Sequence, residues 1–419
     1  MNTNKCHSFS SLDEWLFYLE SIHPSEIDMG LTRIREVGQR LNIDLTNSKI
    51  ITVAGTNGKG TTCAFIENAL LSLGHSVAVY SSPHIETFNE RLRFNKALVD
   101  DKSLIDAFAQ IETARAEITL TYYEYTTLAA LMIASDKKTS FLILEVGLGG
   151  RLDATNMIDC DVAVITSIDL DHQSYLGDTR ELIGYEKAGI ARADKPIIIG
   201  DTDIPISVIE HCQLLNCQMY KRGAEFNITG DRLLQPWDLT IESESFKSLA
   251  ATNIPRDNVA TALMTLSVLG MSLKTDDINQ WISDTCVEGR TEVVQNEPMI
   301  VLDVGHNPHA ARYLNKFVKS NNKPQVHAVC AMLADKDIES TLTEMLDCID
   351  HWYVGNLDVS RGAKAEKLEK ILQQSANSVN SFDNVNDAYR IAVKNANNND
   401  MILVFGSFYT VASIKKAIF

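Results

Sequence analysis

Five short runs rich in β-branched residues, "IITVAG", "SVAVYSS", "SFLILEVG", "VAVITSI" and "KPIIIGD", recur between residues 50 and 201 with helix-length stretches between them. Runs this short and this apolar read as strands buried on both faces, and their alternation with helices builds a parallel, doubly wound sheet. A more polar stretch, "EFNITGDRLLQPWDLTIESESFKSLAA", fits antiparallel strands, and "PRDNVATALMTLSVLG" reads as a helix. The pattern breaks around "TCVEGRTEVVQNEP", after which "MIVLDVG", "VHAVCAML", "WYVGNL" and "MILVFGSF" begin a second alternation. The expected fold class is therefore α/β. A chain of 419 residues is too long for one typical core, so two domains are expected, 1–288 and a smaller 289–419.

Composition narrows the function classes. Hydrophobic residues make up 45% of the chain and charged residues 22%, ordinary globular usage, and no apolar run reaches membrane-spanning length. The polar start "MNTNKCHSFSSLDEW" lacks the apolar core of a signal peptide, so the cytoplasm is the expected compartment. Eight cysteines lie scattered without a C-x-x-C pair and read as reduced and mostly packed. A net charge of −17 argues against a nucleic-acid surface but leaves small anionic substrates open, since these respond to local charge.

The stretch "IITVAGTNGKGTTCAF" has the context strand, glycine-rich turn, helix, yet departs from the usual phosphate loop G-x-x-x-x-G-K-[ST]. Gly55 and Gly58 are separated by only two residues, and Gly60 stands between Lys59 and the hydroxyls of Thr61 and Thr62. The chemistry still points to phosphate: backbone N–H groups and the positive end of the helix dipole favour an anion, and glycines let the backbone approach closely. Gly55, Thr56, Asn57, Gly58, Lys59, Gly60, Thr61 and Thr62 form the candidate cradle, with Lys59 against the β and γ phosphates and a threonine hydroxyl toward magnesium. Three further oxygen or nitrogen donors follow predicted strand ends: Ser82, Glu145 and His172. The carboxyl ends of parallel strands are where open α/β sheets bind ligands. Taken singly, each has a bland reading as turn residue, cap or satisfied polar histidine, and Lys187 reads by itself as a solvated helix-face lysine.

Together "GTNGKGTT", "SSPHIETFNERLR", "EVGLGGRLDATN", "TSIDLDH", "EKAGI", "LDVGHNPHA" and "FGSFYTVA" resemble, in order and spacing, the folylpolyglutamate synthase family, in the bacterial branch whose members also make dihydrofolate. The family is similar in architecture to the Mur peptidoglycan ligases, which share the shortened loop and its extra glycine. The resemblance implies an N-terminal Mur-ligase-type P-loop ATPase domain with a parallel sheet, a linker, and a C-terminal Rossmann-like α/β domain. It implies Ser82, Glu145 and His172 as magnesium ligands and Lys187 as an N-carboxylated lysine, an anion where a cation would repel the metal. It assigns ATP contacts to Asn258, Arg290, Asp303 and His306, with Asn307 beside them, and pterin contacts to Asp28, Met29, Gly30, to Thr121, Tyr122, Tyr123 and Glu124, and to Leu152, Asp153 and Ala154. Tyr122 and Tyr123 offer aromatic faces to a pterin, and Asp28 or Asp153 an acceptor for its amino groups, although tyrosines near a helix start are more often core. "VEGR" departs from the family spelling, in which a proline often precedes the glycine; Arg290 is unaffected.

The activity so implied is ATP-dependent ligation of L-glutamate to dihydropteroate and to the γ-carboxylate of reduced folates, through an acyl phosphate. Lys59, Lys187, His172 and Arg290 are the expected catalytic residues, and His84 or His172 is a candidate base for the glutamate amine. Expected cofactors are ATP and magnesium, with a second magnesium and potassium as further candidates. Expected partners are the small-molecule substrates alone, without nucleic acid or membrane, and the chain is expected to be a monomer. Three alternatives stay open: a synthase acting only on folates, a Mur-type ligase, for which about fifty residues before the loop leave little room, and a P-loop ATPase module that drives a partner protein.

Overall fold

The structure, a computed structural model, describes residues 7–25, 27–230, 233–376 and 378–418. Cys6, the start of the N-terminal segment, and Asp231 and Arg232 of the polar stretch lie outside the described residues. In chain order the strands are β1 (Lys49–Ala54), β2 (Val77–Tyr80), β3 (Leu92–Phe94), β4 (Ala97–Leu98), β5 (Phe141–Glu145), β6 (Val162–Ile165), β7 (Pro196–Ile199), β8 (Gln218–Lys221), β9 (Phe226–Thr229), β10 (Trp237–Ile241) and β11 (Glu244–Leu249). They continue with β12 (Glu292–Asn296), β13 (Met299–Asp303), β14 (Val326–Cys330), β15 (His351–Gly355), β16 (Val379–Phe382) and β17 (Met401–Phe405).

The chain forms two compact units. One runs to Asn227 and takes in Ala260–Lys274; the other holds Ile228–Val259 and everything from Thr275 onward. The division passes through one helix, Arg256–Val268. No helix among the described residues is long and apolar enough to cross a membrane.

In the first unit the eight-stranded sheet has the order β4-β3-β2-β5-β1-β6-β7-β8. From β2 to β8 the pairs are parallel, and β3 and β4 add an antiparallel edge. The five apolar runs are its inner strands, buried along almost their whole length because helices cover both faces. From β1 the chain crosses to β2 on one side, and from β6 to β7 on the other, so strand order reverses at the centre. That reversal opens the crevice in which doubly wound sheets bind ligands. Register fixes what meets there: Val53 is opposite Glu145 and Ala54 opposite Ile165, so the loop after β1 leaves the sheet beside the ends of β5 and β6. Trp15, Phe108, Tyr125 and Leu128 fill the core beneath the helices on one face.

In the second unit β10 and β11 pair antiparallel next to β9, as the polar stretch implied. A six-stranded sheet follows in the order β12-β13-β17-β14-β15-β16. It is parallel except for β12, which pairs antiparallel with β13 and lies within the segment where the sequence pattern breaks. Trp352, Phe405, Leu403 and Phe317 are buried in its core.

Candidate active site

The phosphate loop begins where β1 ends. Gly55 has φ 152°, and a Cβ there would lie 1.8 Å from Thr166 Oγ1, so only glycine fits. Gly58, at φ 89°, caps the helix Lys59–Ser72 without a side-chain bond, which leaves the first N–H groups of the helix to a ligand or water. The loop is stitched to the segment after β6: Thr56 N donates to Ser167 O (2.8 Å), Thr56 Oγ1 to Asp169 O (2.9 Å), and Thr166 Oγ1 to Asn57 O (2.6 Å). "GTNGKGTT" and "TSIDLDH" are therefore tied to each other by hydrogen bonds. Lys59 arches back, its Nζ donating to Gly55 O (3.0 Å) and Thr56 O (3.4 Å). Thr61 Oγ1 donates to Gly58 O at 3.0 Å, whereas the buried Thr62 Oγ1 has no partner. A buried hydroxyl without a partner costs free energy unless a ligand satisfies it.

Glu145, the last residue of β5, is 5% exposed. Its two oxygens would stand 3.7 and 3.8 Å from a Cβ at Gly60. The carboxylate thus lies directly against the loop at Gly60. Ser82, after β2, lies within reach of the Tyr123 hydroxyl, which itself approaches Glu145 O at 3.5 Å. His172 has φ 51° and an exposed ring 3.9 Å from Asp171 Oδ1.

Lys187 stands in the last turn of the helix Arg180–Ala188 and is 3% exposed, not the solvated lysine that the sequence by itself suggests. Close approach of the "GLGG" loop holds this helix end: a Cβ at Gly150 would meet Glu186 O at 2.8 Å and Lys187 O at 3.0 Å, and Arg151 N donates to Glu186 O at 2.7 Å. Burial pushes the Lys187 amine down to about 7, the charge of Lys59 adds to this, and Asp171 opposes it. A neutral amine is the form that reacts with carbon dioxide.

No group of three or more His, Cys, Asp and Glu side chains among the described residues is arranged to hold a metal. Magnesium does not require one: it keeps several waters and takes few protein oxygens. A buried carboxylate facing the loop and an unpartnered threonine hydroxyl fit that demand.

The acceptor-side residues divide. Asp28 Oδ2 accepts from Arg33 Nη1 (2.7 Å), and Arg33 also pairs with Glu124 at 3.2 Å. Arg33 thereby joins the Asp28–Gly30 loop to the start of the helix Tyr122–Lys137, where Thr121 and Glu124 form a capping box. The Met29 side chain lies 3.5 Å from the Cβ position of Gly149, bringing that loop to the Gly147–Ala154 segment. Asp153 departs from expectation. It is 5% exposed and accepts from Gly147 N, Leu148 N, Thr155 N and Thr155 Oγ1 at 2.7–3.0 Å, so its carboxylate shapes its own turn. Tyr123 stacks on Tyr80 with centroids 6.1 Å apart, and Tyr122 carries Arg91 over its ring at 5.6 Å, so neither face is the open platform expected. His84 Nδ1 accepts from Arg91 Nε (3.0 Å), while burial and then the Arg91 charge lower its pKa to about 4. The neutral ring then carries its proton on Nε2 and has no lone pair left to act as the base.

In the second unit Asp303 closes β13, buried, and accepts from Thr291 N (2.8 Å) and Gly305 N (2.7 Å). Burial raises its pKa and Arg290 opposes that. Arg290 lies 5.5 Å over the Phe408 ring, and His306 Nδ1 bonds Val304 O at 2.9 Å. Asn307 caps the helix Pro308–Asn321 through Ala310 N, a local task. Asn258 is buried in the first turn of its helix. Arg33, Asp171 and Arg91 were not singled out from the sequence; the last two stand inside motifs that carry the resemblance.

Residues 53–233 match the Mur ligase middle domain and residues 289–408 the Mur ligase glutamate ligase domain, so fold and site together define an ATP-dependent ligase of the Mur type. Escherichia coli K12 dihydrofolate synthase/folylpolyglutamate synthase is 42% identical over 410 residues, covering 98% of this chain and 96% of that protein, and its Haemophilus influenzae counterpart is 38% identical with 98% of each covered. Among solved structures, E. coli FolC in complex with DHPP and ADP matches at TM-score 0.93 and 42% identity over 98% of each chain. The Yersinia pestis bifunctional enzyme complexed with AMPPNP and Mn ion matches at 0.91, again at 42% identity over 98% of each chain. The chain belongs to the dihydrofolate synthase/folylpolyglutamate synthase family and is a carboxylate–amine ligase driven by ATP.

Proposed function

We propose that the chain joins L-glutamate to dihydropteroate and to the γ-carboxylate of reduced folates. The acceptor carboxylate attacks the γ-phosphate of ATP, giving an acyl phosphate and ADP; the amino group of glutamate then attacks the acyl carbon, the amide forms, and phosphate and a proton leave. The observation that carries this reading is the meeting, at the carboxyl ends of the central strands, of the Lys59 loop, the buried carboxylate of Glu145 and the buried amine of Lys187. No nucleophile from the protein is needed, so catalysis consists of alignment and charge stabilisation.

Within this reading the loop N–H groups and Lys59 hold the phosphates, and Arg290 adds a second cation. Asn258, Asp303 and His306 take the adenosine part. Ser82, Glu145 and His172 would hold magnesium, which when bound neutralises phosphate charge. Lys187 would carry a carbamate whose two oxygens suit a second magnesium. Asp28, Met29, Gly30, the Thr121–Glu124 turn and the Leu152–Ala154 segment would contact dihydropteroate, with Asp153 as the brace of the last of these. The matched range 289–408 supports a functional boundary near residue 288. Monomeric action in the cytoplasm and a requirement for potassium belong to the same proposal and are checked by sedimentation, fractionation and salt titration.

ADP release that depends on glutamate, measured first with dihydropteroate and then with tetrahydrofolate, tests the function. Release with both is expected. Release with tetrahydrofolate alone leaves the folate-only synthase, and release independent of glutamate leaves the ATPase module.

A further inference from the structure

Arg91 is held in place yet leaves most of its hydrogen-bonding capacity unused. It closes the short turn Phe88–Arg91, which Glu90 pins by accepting from Ile85 N (2.7 Å), Glu86 N (2.8 Å) and Thr87 N (2.6 Å). Its guanidinium lies 5.6 Å from the ring centroids of both Phe88 and Tyr122, within cation–π range. Nε donates to His84 Nδ1. The four remaining N–H donors make no hydrogen bond or ion pair to any described residue, although the side chain is part-buried. Elsewhere in this unit part-buried arginines have carboxylate partners: Arg33 with Glu124, Arg93 with Glu67, Arg115 with Glu112. A part-buried cation stacked on aromatic rings, with its fork free and its loop fixed, is preorganised for a carboxylate.

We propose that Arg91 binds the α-carboxylate of the terminal glutamyl residue of a folate acceptor, a group that dihydropteroate lacks. This rests on the function proposed above. The reacting carboxylate must meet the γ-phosphate at the Lys59 loop and needs a free oxygen to attack, which a bidentate arginine would occupy. Arg91 instead stands one step back from that corner: its partner His84 is two residues beyond Ser82, and Ser82 leads through Tyr123 to Glu145. In a glutamyl unit whose γ-carboxylate reacts, the α-carboxylate falls a few bonds behind it. Arg91 is thereby a specificity-determining residue that separates the two acceptors.

The test compares tetrahydrofolate with an analogue carrying 4-aminobutyrate in place of its glutamate, which keeps the reacting carboxylate and loses the other. Binding of each to the ADP-loaded chain is followed by calorimetry, beside KM values for tetrahydrofolate and dihydropteroate, in the wild type, Arg91→Gln and Arg91→Lys. The wild type is expected to bind the analogue roughly ten- to a hundredfold more weakly, as loss of a charge-assisted hydrogen bond requires. Arg91→Gln is expected to show no such difference and to raise KM for tetrahydrofolate at least tenfold more than KM for dihydropteroate; Arg91→Lys should fall between. Equal binding of the two ligands by the wild type overturns the proposal even if Arg91→Gln fails to fold, and so does an equal rise in both KM values. Binding that depends on the α-carboxylate without glutamate-dependent ADP release would uphold Arg91 while refuting the ligase reading.

Discussion

Replacing Lys187 with methionine removes a charge from a place that resists it. Burial first, then Lys59, lowers the amine from 10.5 to about 7, against a smaller pull from Asp171. Between those two values the unfolded chain binds a proton that the folded chain does not, so stability rises with pH across the window and the penalty is full below about 7. From 10.5 to about 7, at ~1.4 kcal/mol per pH unit, the charged amine costs about 5 kcal/mol at most. In buffer depleted of carbon dioxide, Lys187→Met is expected to melt several degrees above the wild type near pH 6, with the gap narrowing by about half as pH approaches ~9. The same variant is expected to lose ligation, because it cannot form the carbamate. Added bicarbonate should raise both the melting temperature and the ligation rate of the wild type and leave the variant unmoved. Scanning fluorimetry across pH, beside glutamate-dependent ADP release, reads all of this. Identical melting of the two chains at every pH would refute the buried-amine argument, and an active variant would remove Lys187 from catalysis.

Lys59→Ala is expected to slow turnover by about a hundredfold or more without unfolding the chain, since its Nζ bonds the loop carbonyls of Gly55 and Thr56 and packs into no apolar core; the check is kcat in a variant of unchanged circular dichroism. Gly55→Ala places a Cβ 1.8 Å from Thr166 Oγ1 at φ 152° and is expected to cost about 3 kcal/mol of stability and to abolish nucleotide binding, read by urea melts and ADP titration. Asp28→Asn is expected to raise KM for dihydropteroate more than for tetrahydrofolate, and equal shifts would place Asp28 outside the dihydropteroate pocket. Glu145→Gln is expected to depress both reactions together, because one phosphate corner serves each; loss of only one would refute a shared metal.

Strand identity, sheet type and the chemistry of the phosphate loop were legible in the sequence, because each rests on local pattern. β-Branched runs buried on both faces can only be inner strands, and a glycine turn between strand and helix is an anion site wherever it occurs. The edge strands β8 and β16, "QMYK" and "VNSF", escaped that reading, since an edge strand needs no apolar run and owes its place to its neighbour. The resemblance supplied Ser82, Glu145, His172 and Lys187 as a set, but composition and spacing left each with an ordinary alternative. Tertiary structure alone decided that Lys187 is buried beside Lys59, because its environment is made by a loop some 35 residues away that only glycines allow so close. It also turned Asp153 inward onto its own turn, set Tyr122 under Arg91, and left that guanidinium without a carboxylate. Pairing, burial and the state of a proton are properties of neighbours brought together by folding, and a linear pattern carries no record of which neighbours those will be.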